Sequence, residues 1–115
     1  MAAREEVSIF LSEWREATGN FIDFVPRLKN RITLQELRIT ETEAKKCVQN
    51  LRVENYVSGP EIDIDKNTKD IWIFGLKIKG EKIYIKVKIY QYHGIIEAKC
   101  LSFHKADHTL YYPFK

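Results

Sequence analysis

This chain has little of what builds disulfide, metal-cluster or glycine-loop chemistry. It holds two cysteines, three prolines and five glycines in 115 residues. Cys47 and Cys100 show no C-x-x-C spacing, so they read as buried thiols rather than a disulfide or half a metal site. No glycine-rich phosphate loop is present, and no Ser-His-Asp or Cys-His arrangement can be read from spacing. The run Asp63, Asp65, Asn67, Asp70 lacks the glycine at the sixth and the glutamate at the twelfth position of a calcium loop, where Thr68 and Phe74 stand. No metal or cofactor is expected. No apolar run reaches the roughly 18–20 residues that a membrane span needs. The N-terminus, Met1-Ala2-Ala3-Arg4-Glu5-Glu6, lacks the basic region and apolar stretch of a secretory signal. Without repeats, linkers or low-complexity segments, the expectation is one cytoplasmic domain, 1–115, with a modest core.

What is there is charge, unevenly spread around a net +3. Residues 1–70 hold 11 Lys/Arg against 13 Asp/Glu, and residues 71–115 hold 8 against 3. An anionic ligand is therefore expected on the C-terminal half. There Lys82, Tyr84, Lys86, Lys88 and Tyr90 alternate with Ile83, Ile85, Val87 and Ile89. A period of two predicts a strand with a β-branched inner face and an outer row of three lysines and two tyrosines. Same-face neighbours stand roughly 6–7 Å apart. The row forms a cationic track with aromatic rungs, suited to a phosphate backbone and exposed bases. A solvated strand face kept soluble by lysine has the same pattern.

Earlier in the chain, Val7, Phe10, Leu11 and Trp14 fall at i, i+3, i+4, i+7 and predict an amphipathic helix that stops near Gly19-Asn20. Residues 21–25 read as a short extended segment, since Pro26 restricts Val25. Thr33…Glu36 and Thr40…Glu43 have capping-box spacing and predict helices over 34–37 and 41–51. The second would bury Ala44, Cys47, Val48 and Leu51. Arg27, Lys29, Arg31 and Arg38 form either a basic rim or an ordinary solvated surface. Gly59-Pro60 ends the helical half. Strands are predicted over 71–79, 82–90 and 95–103, with turns at Gly80-Glu81 and 91–94, and a fourth edge segment over 110–114. The fold class is α+β, with N-terminal helices packed on a C-terminal antiparallel sheet.

Ser102-Phe103-His104 closes the last long strand, followed by Lys105, Asp107 and His108. Pairing across the turn places Lys99 roughly opposite Lys86, and His104 near Lys82. Tyr84, Lys86 and His104 then share a face, with Ile96, Ala98, Cys100, Ser102 and His104 as one small-residue floor. A histidine beside such a track can donate or accept a proton near neutrality. RNA cleavage by its own 2′-hydroxyl asks for a base, an acid and cations around the phosphate, which Tyr, His and Lys supply. The candidates are Tyr84, Lys86 and His104 for catalysis. Lys82, Lys88, Lys99, Lys105, His108 and Tyr112 are the candidates for substrate binding.

The segments Asn55-Tyr56-Val57-Ser58-Gly59-Pro60, Trp72-Ile73-Phe74-Gly75, Tyr84-Ile85-Lys86, Ser102-Phe103-His104-Lys105 and Tyr112-Pro113-Phe114-Lys115 together resemble the MqsR-type toxins of toxin–antitoxin modules, in the RelE-like group. The resemblance covers about residues 30–115 and implies a RelE-like fold. It also implies an mRNA endonuclease (an mRNA interferase) that halts translation and is held inactive by a cognate antitoxin protein. RNA and that antitoxin are the implied partners, with ribosome dependence left open. Tyr84 matches a residue implicated in catalysis in that family, and His104 stands where the best-known member has an implicated lysine. Two further implicated positions, a lysine and a glutamine, are Val57 and Ile73 here. The alternatives are a non-catalytic RNA-binding or protein-interaction module with the same basic sheet, and a structural protein that does neither.

Overall fold

A computed structural model describes residues 1–19, 21–66 and 68–115, with the backbone alone at Lys69. The chain runs α1 (Arg4–Thr18), β1 (Ile22–Phe24), α2 (Leu28–Leu37), α3 (Glu41–Gln49), a 3₁₀ turn (Val53–Asn55), then β2 (Tyr56–Asp63), β3 (Thr68–Ile78), β4 (Glu81–Tyr92) and β5 (Ile95–Lys105). The fold is α+β, three N-terminal helices on a five-stranded sheet of order β1-β5-β4-β3-β2. The sheet is antiparallel except that β1, drawn from the N-terminal half, joins the edge parallel to β5. No described helix is long and apolar enough to cross a membrane.

The predicted helical stripe is the core of α1: Val7, Leu11 and Trp14 are fully buried and Phe10 nearly so. Phe10 stacks on Trp72 at 4.4 Å, and the Trp14 indole donates to the Val48 carbonyl at 2.8 Å, tying α1 to α3. Burying each such side chain is worth about 1.5–3 kcal/mol. Opposite them lie Ile83, Ile85 and Val87 of β4 with Phe74 and Phe103. Gly19 ends α1, its N–H returning to the Arg15 and Glu16 carbonyls. Asn20 lies outside the described residues, as does Asn67 of the acidic run. Both cysteines are free, and burial pushes the Cys100 thiol up to about 12, which makes it a poor nucleophile.

The capping box at Thr40 opens α3 as expected, with Thr40 Oγ1 accepting from the Glu43 N–H at 3.1 Å. The other box does not cap anything. Helix α2 begins at Leu28, so Thr33 lies mid-helix, and its hydroxyl accepts from the Lys105 N–H at 3.3 Å. A strand, β2, runs through Ser58-Gly59-Pro60 where only a helix stop was expected. Its pairing with β3 is broken by register shifts, which is how an edge strand accommodates proline. Residues 110–114 form no strand. They cross Gly75 so closely that a Cβ there would run into Tyr112 Oη and Leu110.

Candidate functional site

Strand β4 keeps its alternation throughout, but β5 does not. Lys86 pairs with Ser102 while its neighbour Val87 pairs with Cys100, so Leu101 is an extra residue, a β-bulge. Alternation on β5 therefore changes phase there. Ala98 and Cys100 point into the core and are fully buried, whereas Ser102, itself buried, and His104 line the cleft on the other face. The single even-numbered floor is corrected accordingly, as is the register: Lys99 lies across from Lys88, and His104 across from Tyr84.

Helix α2 stabilises this change of phase. Strand β1 ends at Phe24, and the Val25 N–H still reaches the Cys100 carbonyl at 3.0 Å. Past that point α2 side chains take over the β5 edge. Asn30, fully buried, donates to the Leu101 carbonyl at 3.1 Å and to the Val25 carbonyl at 2.9 Å, and accepts from the Phe103 N–H at 2.9 Å. One turn on, Thr33 accepts from Lys105. The backbone groups that a bulge leaves without strand partners are thus satisfied by a helix.

The result is a cleft of about 490 Å³ lined by Arg27, Leu28, Lys29, Tyr84, Lys86, Ser102, His104, Asp107 and His108. The Tyr84 ring stacks on His104 at 5.3 Å and meets His108 edge-on at 6.1 Å. His104 Nδ1 lies 3.0 Å from the Lys105 carbonyl, which can only accept, so Nδ1 carries the hydrogen and Nε2 is left to exchange a proton. His108 Nδ1 lies 2.7 Å from the Asp107 carboxylate, which fixes the same tautomer and holds that carboxyl below its ordinary range. Burial raises the Tyr84 phenol above its ordinary value, helped by Glu61 and Asp107, so it keeps its proton. Among the described residues, Arg27, Lys29 and Lys86 form no ion pair.

Of the residues expected at the site, Tyr84, Lys86, His104 and His108 come together, and the others do not. Lys88 lies in the same row but is buried, 2.6 Å from Asp63 and 3.5 Å from Asp70. Its charge is taken up inside the protein, and the acidic run that suggests a calcium loop supplies its partners. Lys105, one residue past His104, lies outside this cleft, shares a smaller hollow with His104, Lys29 and Asp107, and pairs with Glu36 at 3.6 Å. Lys99 sits further along the face, 3.9 Å from Asp23 and over the Tyr90 ring. Lys82 is exposed outside the cleft, its carbonyl accepting from the Ala106 N–H, and Tyr112 covers Gly75 beneath the Lys115 ammonium. Ile73, across from Lys86, is buried, and Val57 is half-buried at the start of β2.

Arg27 and Lys29 enter the cleft from the start of α2, so its cations come from both halves of the chain and not from the C-terminal half alone. The unassigned basic run containing them was their one signal in the sequence. Asn30, Ser102 and Asp107 carried no chemical signal of their own. Compared with protein-family models, curated proteins and solved structures, the chain matches none of them.

Proposed function

We propose that this chain is an endoribonuclease that cleaves mRNA by metal-independent attack of the 2′-hydroxyl, in the manner of the MqsR-type mRNA interferases, with a cognate antitoxin protein as its inhibitor. One observation carries the proposal: a proton-holding phenol, two imidazoles of fixed tautomer and three free cations converge on one cleft. Lys86 and Arg27 attract the scissile phosphate, and Tyr84 donates a hydrogen bond to a phosphoryl oxygen. His108 Nε2, backed by Asp107 as in a His–Asp pair, takes the proton of the 2′-hydroxyl. The 2′-oxygen then bonds to phosphorus, the P–O5′ bond breaks, and His104 gives its Nε2 proton to the departing 5′-oxygen. The products are a 2′,3′-cyclic phosphate and a 5′-hydroxyl.

The test is incubation of single-stranded RNA with purified protein in chelator, with analysis of the product termini. His104→Ala and His108→Ala should each lose cleavage yet still bind RNA, because the cations supply most of the phosphate attraction. His104→Ala should recover on an activated aryl phosphodiester, whose leaving group needs no proton. RNA that is bound but never cut would overturn the catalytic proposal in favour of a binding module. Failure of only the His108 variant would show that His104 is not the acid.

A further inference from the structure

The cleft does not end at Lys86. A second groove of about 520 Å³ adjoins it along the sheet face, and Arg27 and Lys86 line both. Its far part is flanked by Lys99 and by Ile64, Asp65 and Lys66 of the β2–β3 connection. Lys88 also lines it, but Lys88 and Asp63 cancel as an ion pair. Among the described residues the groove's remaining cations are Arg27, Lys66, Lys86 and Lys99, of which Lys99 pairs with Asp23 at 3.9 Å, and its remaining carboxylate is Asp65. Two apolar side chains stand in solvent on the same groove: Ile62 is 59% exposed and Ile64 is 90% exposed. Ile62 and Ile64 thus set exposed apolar surface beside Arg27, Lys66 and Lys86, which form no ion pair among the described residues.

We propose that this groove is the subsite for the nucleotides next to the cleaved bond, so that single-stranded RNA runs from the cleft across Arg27 and Lys86 toward Lys99. The proposal rests on the RNA-cleaving function above. Lys88, the residue across from Lys99, is one same-face step from Lys86 along β4. That step is roughly 6–7 Å, about the separation of successive phosphates in an extended strand. A phosphate at the Arg27–Lys86 seam therefore has its neighbour within reach of Lys99. The intervening base is offered the apolar rim of Ile62 and Ile64, a contact available to any base.

Uncleavable 2′-O-methyl RNAs of two and six nucleotides separate the two claims by their affinities, read as fluorescence anisotropy at fixed salt. The wild-type protein should bind the longer RNA at least roughly tenfold more tightly, with a steeper salt dependence. Lys99→Ala, at a half-buried position, and Ile64→Ala, at an exposed one, should each shrink that length advantage several-fold. A hexanucleotide advantage that persists in both variants would overturn the groove assignment while leaving RNA binding in the cleft standing. A wild-type protein that binds neither RNA would overturn both.

Discussion

Asn30 is the residue whose loss should be felt furthest from itself. Its side chain is fully buried and holds three backbone groups. The Val25 carbonyl keeps a second partner, the Arg27 N–H at 2.9 Å, so truncation strands chiefly the Phe103 N–H and the Leu101 carbonyl. A buried group stripped of its partner costs about 1–3 kcal/mol. Asn30→Ala should therefore destabilise by about 2–4 kcal/mol, the lower end applying if water fills the space. Asn30→Asp should not restore stability: it can accept from Phe103 but sets a carboxylate against two carbonyl oxygens. Thr33→Val, which removes one acceptor of a longer bond, should cost only about 1 kcal/mol. Urea unfolding measures all three as a lower midpoint at constant slope. Because Asn30 secures the bulge that sets Ser102 and His104 on the cleft, Asn30→Ala should also lower the turnover of protein that remains folded. An Asn30→Ala protein within about 0.5 kcal/mol of wild type, or a fully stable Asn30→Asp protein, would refute the account.

Tyr84→Phe and Lys86→Ala should each slow RNA cleavage at least roughly tenfold, about 1.4 kcal/mol of barrier, with the fold intact by circular dichroism. Ile85→Ala, at a fully buried position, should instead destabilise by about 2–5 kcal/mol; cleavage undiminished in both polar variants would place the chemistry elsewhere. Lys88→Met leaves Asp63 and Asp70 without their cation, and among the described residues Asp70 Oδ1 already lacks a partner. It should cost clearly more than the more exposed Lys99→Met, which should cost under about 1 kcal/mol; equal costs in denaturant would contradict the buried pairing. Tyr90 donates to Glu97 at 2.6 Å and its phenol is pushed up to about 12. Because the folded state holds that proton more tightly, the stabilisation is full below the ordinary value of about 10 and is lost as pH rises through the folded value. The wild-type melting temperature should thus fall more steeply above pH 10 than that of Tyr90→Phe, and parallel curves would remove Tyr90 from the explanation.

Elements that bury an apolar stripe were legible in the sequence, and those that bury polar groups were not. The stripe of α1 and the alternation of β4 meet the core as their periods demand. Helix α2 stayed hidden because its buried residues are Asn30, Thr33 and Leu37. Their spacing is helical, but two are polar because they face the hydrogen-bonding edge of β5 and not an apolar layer. The same Thr33 lies three residues before Glu36, which imitates a capping box. Strand β2 was concealed by Ser58-Gly59-Pro60, a turn signature that an edge strand tolerates when its register is irregular. The aromatic run near the C-terminus reads as a strand, yet its rings are spent covering Gly75 and stacking Phe114 on Tyr56.

The site divides along the same line. Tyr84 and Lys86 follow from alternation within one strand, which local sequence specifies. Lys88 follows the same alternation but is neutralised by Asp63, 25 residues away in sequence, and no pattern within β4 distinguishes it from Lys86. His104 depends on something subtler. In an unbulged β5, the phase that turns His104 outward would also turn Cys100 and Ala98 outward and send Lys99 and Leu101 into the core. The opposite phase would keep Lys99 on the open face and bury His104 beside Phe24 and the helices. One extra residue at Leu101 removes that conflict, since each half of β5 takes the phase its own surroundings require. The bulge in turn survives because Asn30 supplies the hydrogen bonds that neither β1 nor β4 can reach. The placement of His104 is therefore decided by a buried asparagine on a helix some seventy residues earlier in the chain, through backbone groups alone.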